Sequence, residues 1–474
     1  MRIARGGNDS KFANYWQTGT MSFVAINPAS EEEIASFDAH TVKEIDTRLD
    51  AAATAFAKWS QVPVSERIHY MERCAELLEG EVPVIAQLMT SEMGKTFASA
   101  KGEVAKCASI MRYYVEHAPA LLETETIATS GSRSGVRFEP LGVILAIMPW
   151  NFPLWQIFRF LAPTLMAGNA VVVKHAPNVP GCAQYVEDLF IRSGFPRGVV
   201  TNVFAEVESI PGIISDPRIA GVTLTGSESA GRAIGELAGR NLKKCVLELG
   251  GSDAFIVGAL ADMDLTVEMA VTARVQNNGQ ACIAAKRYIV VRSRADEFIE
   301  RFTTAMAEVP MGDPMDPNTV LGPLATKAQL QLLSEQVASS VRDGAVVRTG
   351  GEAPKGPGYY YPATVLTNVP ETSRAGCEEL FGPVAVVHVV DNLAAAIELA
   401  NATPWGLGAS IWSEDPNEID AAIAGIDVGM VFANAIVVSM AELPFGGTKN
   451  SGIGRELAQY GVREFTNVKS FYVA

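Results

Sequence analysis

The chain has 474 residues, well past the roughly 250–300 residues at which one hydrophobic core stops growing, so two or more lobes are expected. Hydrophobic residues make up 48% and charged residues 19%, with 41 Gly and 25 Pro, which is globular composition and excludes a disordered or fibrous chain. A formal net charge of −15 offers no basic surface for counterion release, which excludes nucleic acid as a partner but leaves a small anionic substrate open.

Residues 1–21 read as a polar leader without the apolar run of a signal peptide, and no stretch is apolar for the length a membrane span needs. Helical spacing then covers 42–60, 65–79 and much of 81–118. A buried strand is expected within 136–147, ending before Pro149. From there apolar runs alternate with helices: helix 155–167, strand 170–174, helix 181–193, strand 199–204, strand 219–225, and a helix opening near Ser227. That alternation predicts a parallel sheet in an α/β fold. A second α/β block begins near Gly250 and runs to about residue 460. Residues 462–474 form a β-prone tail, expected either to pack on its own chain or, slightly favoured, to add to a neighbour's sheet edge.

The six cysteines, Cys74, Cys107, Cys182, Cys245, Cys282 and Cys377, are too scattered for a disulfide framework or a metal site, and they fit a reducing cytoplasm. Cys282 differs from the rest. It follows Gln276-Asn277-Asn278-Gly279-Gln280-Ala281, a loop-forming run, and a loop thiol is a candidate nucleophile as well as a small buried hydrophobe. Glu248 ends the apolar run Val246-Leu247 before Leu249-Gly250-Gly251; it reads equally as a strand-end Glu facing water or as a buried carboxylate whose pKa rises toward that of a general base. Asn151 sits in Pro149-Trp150-Asn151-Phe152-Pro153, whose prolines fix the backbone and would pre-aim the amide, although taken alone it reads more readily as a turn Asn. Gly226 and Ser227 lie between a strand and a helix start, a weak phosphate signal equally readable as a helix cap. Lys174 ends a strand, where it can meet a ligand or only solvent.

Taken together these segments resemble the aldehyde dehydrogenase superfamily. Pro149-Trp150-Asn151-Phe152-Pro153, Glu248-Leu249-Gly250-Gly251, Gly279-Gln280-Ala281-Cys282, Glu379-Leu380-Phe381-Gly382-Pro383 and Pro444-Phe445-Gly446-Gly447 occur in the family's order. The resemblance implies a Rossmann-type dinucleotide-binding domain (22–122 and 142–249), an α/β catalytic domain (250–459) and a small β oligomerisation element (123–141 and 460–474) in a homodimer or homotetramer. It implies that Cys282 attacks an aldehyde, that Asn151 and the Cys282 N–H hold the oxyanion, that hydride passes to NAD or NADP, and that Glu248 activates water against the resulting thioester. Trp150, Lys174, Pro177, Gly226, Ser227, Glu379 and Phe381 would then contact the dinucleotide.

Within the superfamily the chain is most similar to succinate-semialdehyde dehydrogenases. Arg159 falls where that group binds the substrate carboxylate, and Ser439 falls near a second contact. Many members carry another Arg six residues before the nucleophile; Gln276 stands there, which leaves Arg159 as the expected single cation of the anion site. Ala284 replaces the second Cys of redox-switched members. Pro177 replaces the Glu or Ser that sorts NAD from NADP, so both are expected to serve, with a lean to NAD. Another semialdehyde or aliphatic aldehyde, an inactive relative, or a CoA-using variant are the alternatives.

Overall fold

The computed structural model describes residues 22–474, so the expected leader lies outside the described residues. Two twisted sheets organise the molecule. The first has six strands in the order Gly452–Ile453, Lys244–Glu248, Ile219–Thr225, Val143–Ile147, Ala170–Lys174 and Val200–Asn202. All neighbours are parallel except Gly452–Ile453, which closes one edge antiparallel to Lys244–Glu248. From Val143–Ile147 the chain winds outward to Val200–Asn202, then returns to the other side at Ile219–Thr225. That reversal makes a topological switch point, and the crevice beyond the C-terminal ends of those two strands is where α/β sheets bind ligands.

The second sheet has seven strands, in the order Val346–Thr349, Thr364–Thr367, Val384–Val390, Arg287–Val291, Ala254–Val257, Gly408–Trp412 and Met430–Ala433. Only the Val346–Thr349 edge is antiparallel. Its central strands are buried along their length, as parallel strands covered on both faces must be.

Helices cover the first sheet. Val42–Trp59 starts in a capping box, with the Thr41 hydroxyl and the Glu44 side chain each meeting the other's backbone N–H. The helical run after residue 81 breaks at Gly94, left-handed at φ 80°, into Val82–Met93 and Phe97–Leu121. Trp155–Met166 is enclosed on every side. A charged side chain on such a helix must find a partner inside the protein.

The single strand expected within 136–147 is two, Arg133–Pro140 and Val143–Ile147, which belong to different sheets. Gly142 between them takes φ 150°, and a Cβ there would come within 2.7 Å of the Ala220 Cβ. The C-terminal tail packs on its own chain along one side and forms an edge of its sheet on the other. Thr466–Val473 pairs within its own chain, antiparallel to Arg133–Pro140 from Thr466↔Pro140 to Val473↔Arg133, and with Glu125–Thr126 completes a three-stranded sheet. Backbone hydrogen bonds along eight residues of a covalently tethered partner are available without a second subunit. No described helix is long and apolar enough to cross a membrane.

Candidate active site

Two cavities meet at Cys282 and Gln156. One opens over the switch point and is walled by Trp150, Asn151, Thr225, Gly226, Ser227, Glu248, Leu249, Glu379 and Phe381, among others. The other runs past Glu103, Lys106, Trp155, Arg159, Gln276, Ser439 and Phe445. A thiol at this junction reaches reactants arriving from either side.

The loop that carries Cys282 is held in an unusual backbone conformation. After helix Met263–Val275, Asn277 and Asn278 both adopt left-handed φ, at 53° and 57°. Asn tolerates this better than other non-glycine residues because its amide bonds locally. Both amides are used. Asn277 Nδ2 donates to the Asn151 carbonyl at 2.8 Å and the Gln280 carbonyl at 3.1 Å. Asn278 Nδ2 donates to the Gly94 and Pro323 carbonyls, each at 2.9 Å, while its Oδ1 accepts from the Gly322 N–H. Gly279 follows at φ 72°, and any Cβ there would run into the Gly382 backbone. Two motifs far apart in sequence are thereby locked together.

Asn151 answers that tether. Its Nδ2 donates to the Gln280 carbonyl at 3.0 Å, so the amide turn and the thiol loop are stitched in both directions. The start of Trp155–Met166 is fixed by buried Glu103, whose Oε1 accepts from the Leu154 and Trp155 N–H groups at 2.8 Å each and whose Oε2 pairs with Lys95.

Cys282 is half-buried, and desolvation pushes its thiol up to about 11, opposed by the charges of Arg159 and Lys286. Glu248, at the end of its strand, is 2% exposed and neither carboxylate oxygen has a hydrogen-bond partner. Its pKa lies well above the ordinary range, first because of burial and next because of the nearby Glu456 charge. An orphaned, reluctantly charged carboxylate beside a cavity has the proton affinity of a general base. The Pro444–Gly447 motif packs against it: a Cβ on Gly446 would sit 2.6 Å from Glu248 Oε1.

The switch-point cavity suits a nicotinamide dinucleotide. Trp150 and Phe381 meet edge to face with centroids 5.7 Å apart, giving aromatic walls. Thr225 offers a buried hydroxyl without a partner. Gly226 and Ser227 open helix Glu228–Arg240, whose N-terminus favours a phosphate. Glu379 lines the wall with its carboxylate held by the Gly251 N–H at 3.1 Å and by Lys286 at 3.3 Å. Lys174, buried and with its pKa lowered by desolvation, and exposed Pro177 lie at the neighbouring strand end and do not line this cavity.

In the substrate-side cavity Arg159 lies with Ser439 and Gln276, and it is paired inside the protein. This side chain is 1% exposed, and its Nε is bound by the carboxylate of Glu456. The guanidinium lies 4.1 Å from the Phe445 ring centroid, and its buried Nη2 has no partner. Glu456 therefore occupies the Nε edge of Arg159 and leaves Nη2 without a partner among the described residues. It sits mid-helix in a wholly buried element, and Glu456 neutralises it there. It is not the single cation of the cavity. Lys106, from helix Phe97–Leu121, lines the same space and donates to the Ser439 hydroxyl at 2.8 Å. Ser439 also accepts from Trp155 Nε1 at 3.1 Å. Gln276 lines the cavity half-buried.

Lys106 and Glu456 carry no signature in the sequence. Each is an ordinary charged residue whose significance comes from what the fold packs against it. Lys286, which bonds the carbonyls of Ala281 and Cys282 as well as Glu379, is equally silent.

With this geometry in place, comparison with known proteins is decisive. The profile of the aldehyde dehydrogenase family matches residues 16–471. The chain belongs to the aldehyde dehydrogenase family. The enzyme is 47% identical to a protein of Mycobacterium leprae named succinate-semialdehyde dehydrogenase [NADP(+)], over 96% of this chain and 100% of that one. It is 46% identical to an aldehyde dehydrogenase of Paenarthrobacter nicotinovorans, with the same shares covered. Among solved structures, the succinic semialdehyde dehydrogenase of Streptococcus pyogenes in complex with NADP+ superposes with a TM-score of 0.93 at 37% identity, covering 95% of this chain and 99% of that one.

Proposed function

We propose that this enzyme oxidises succinate semialdehyde to succinate, with NADP as the preferred acceptor and NAD as a second. The observation that carries the reading is the position of Cys282 where a cavity suited to a dinucleotide meets one bearing two cations. The names of the Mycobacterium leprae and Streptococcus pyogenes relatives support both substrate and cofactor. They move the cofactor preference from NAD, the lean of the sequence, to NADP. Pro177 agrees with that, having no carboxylate to repel a 2′-phosphate.

In this reading Cys282 Sγ attacks the aldehyde carbon. The Asn151 side-chain amide and the Cys282 backbone N–H stabilise the oxyanion that forms. Trp150, Lys174, Gly226, Ser227, Glu379 and Phe381 would hold a nicotinamide dinucleotide, which would accept the hydride from the tetrahedral carbon. Oxidation leaves the acyl group on Cys282 as a thioester. Glu248 takes a proton from water as its oxygen attacks, and the thiol leaves as the acid is released. Residues 22–122 and 142–249 form the dinucleotide-binding domain, which also lends Asn151 and Glu248 to the chemistry, and 250–459 form the catalytic domain that carries Cys282.

The unpaired state of all six cysteines favours the cytoplasm. A homodimer or homotetramer is favoured by Val468 and Tyr472, both exposed on the edge strand Thr466–Val473.

The test is reduction of NADP and of NAD with succinate semialdehyde against butyraldehyde, which has the same carbon chain without the carboxylate. We expect kcat/KM to favour the semialdehyde by roughly 10²-fold or more. Equal values would discard the substrate and keep the dehydrogenase.

A further inference from the structure

A second cation suited to receive the substrate's carboxylate is one to which the sequence assigned no role. We infer that Lys106, with the Ser439 hydroxyl beside it, binds the distal carboxylate of the semialdehyde alongside Arg159, whose Nε is engaged by Glu456. The inference rests on the substrate reading above and deepens it.

Three observations carry it. First, Lys106 Nζ faces the cavity that ends at Cys282, and no carboxylate among the described residues pairs with it. The acid nearest in sequence, Glu103, is fully committed to Lys95 and to two backbone N–H groups. Second, the ammonium is fixed. It donates to Ser439 at 2.8 Å and stands 4.2 Å from the Trp155 ring centroid. An aromatic face orients a cation but does not neutralise it. Third, Lys106 and Arg159 line one cavity and repel each other: burial first, and the Arg159 charge second, lower the Lys106 pKa to about 8. Arg159 has Glu456 to offset its charge; no carboxylate among the described residues does so for Lys106. A desolvated, positioned and unpaired ammonium is stabilised most by an arriving anion. A neutral aldehyde would leave it unpaired. A semialdehyde would pair it, and Ser439 would supply a second hydrogen bond.

The decisive measurement is the ratio of kcat/KM for succinate semialdehyde to that for butyraldehyde in wild type, Lys106→Met and Lys106→Arg. Methionine keeps the length and apolar packing of the stem, and thermal unfolding checks that each variant folds. We expect the ratio to fall roughly 10–100-fold in Lys106→Met, as for loss of a hydrogen bond to a charged group, and to recover in part in Lys106→Arg. A purely structural lysine would lower both substrates together and leave the ratio unchanged, which would overturn the inference. If wild type prefers the semialdehyde and Lys106→Met retains that preference, Lys106 is wrong and the substrate stands. If wild type has no preference, the substrate reading fails and this inference fails with it.

Discussion

Around Cys282 the protein keeps acids on one side and bases on the other. The switch-point cavity carries Glu248 and Glu379; the substrate-side cavity carries Lys106 and Arg159, its remaining acid, Glu103, being neutralised by Lys95. On each side one charge has a partner and one has none. Lys286 holds Glu379 while Glu248 stands alone. Glu456 holds Arg159 while no carboxylate among the described residues pairs with Lys106. Partnered charges shape the walls. Unpartnered ones retain the free energy to take up what arrives, a proton on one side and an anion on the other.

That comparison breaks most visibly at Glu248. Glu248→Gln keeps the shape and removes the base. Steady-state turnover should fall about 10²–10⁴-fold, while the first turnover still releases reduced dinucleotide in a rapid burst. Stopped-flow absorbance reads both, and loss of the burst would assign Glu248 to a step before the thioester.

Arg159→Met tests the partnered side. It strands Glu456 in a buried position, which should cost about 3–5 kcal/mol in denaturant unfolding. Glu456→Gln in the same background should restore most of it. A cost under about 1 kcal/mol would mean the pair behaves like a solvated surface bridge.

The thiol between the two sides should answer to pH. With its pKa pushed up to about 11, only a small fraction of Cys282 is thiolate at neutrality, and that fraction grows as protons are removed. Its alkylation by iodoacetamide in the cofactor-free enzyme should therefore rise about tenfold per pH unit from roughly 7 to 9, without a plateau. Peptide mass spectrometry separates it from exposed Cys377. A plateau in that window would show that Arg159 and Lys286 stabilise the thiolate more than burial opposes it.

The smallest effect belongs to the loop. Asn277→Gly keeps a left-handed residue affordable but gives up two hydrogen bonds, whereas Asn277→Ala also adds backbone strain of about 1–2 kcal/mol. Urea unfolding should rank wild type above Gly and Gly above Ala. Equal Gly and Ala variants would remove strain from the account.

Much of this was legible in the chain. Cys282, Glu248 and Asn151 stood out because a loop thiol, a carboxylate in an apolar run and a proline-flanked amide each violate the habits of core or surface. The buried strands 170–174 and 219–225 were legible because parallel strands are apolar throughout. Arg159 was legible by position but not in its bonding, since Glu456 lies 297 residues away along the chain. Lys106 is separated from Ser439 by 333 residues, and nothing local sets it apart from Lys101 on the same helix. The split was marked in the sequence only by the turn formers Pro140 and Gly142 inside 136–147; that its two halves join different sheets shows only in the fold.

The closing strands have a consequence for how the enzyme is made. Glu248 lies in a strand whose outer neighbour is Gly452–Ile453, Arg159 waits for Glu456, and Arg133–Pro140 waits for Thr466–Val473. Synthesis runs from the N-terminus, and domains fold as they emerge. The thiol, the base and the amide are all translated long before the segment that seats them. A chain still threaded through the ribosome thus carries every reactive group without the arrangement that gives them purpose, and competence arrives with the last few dozen residues.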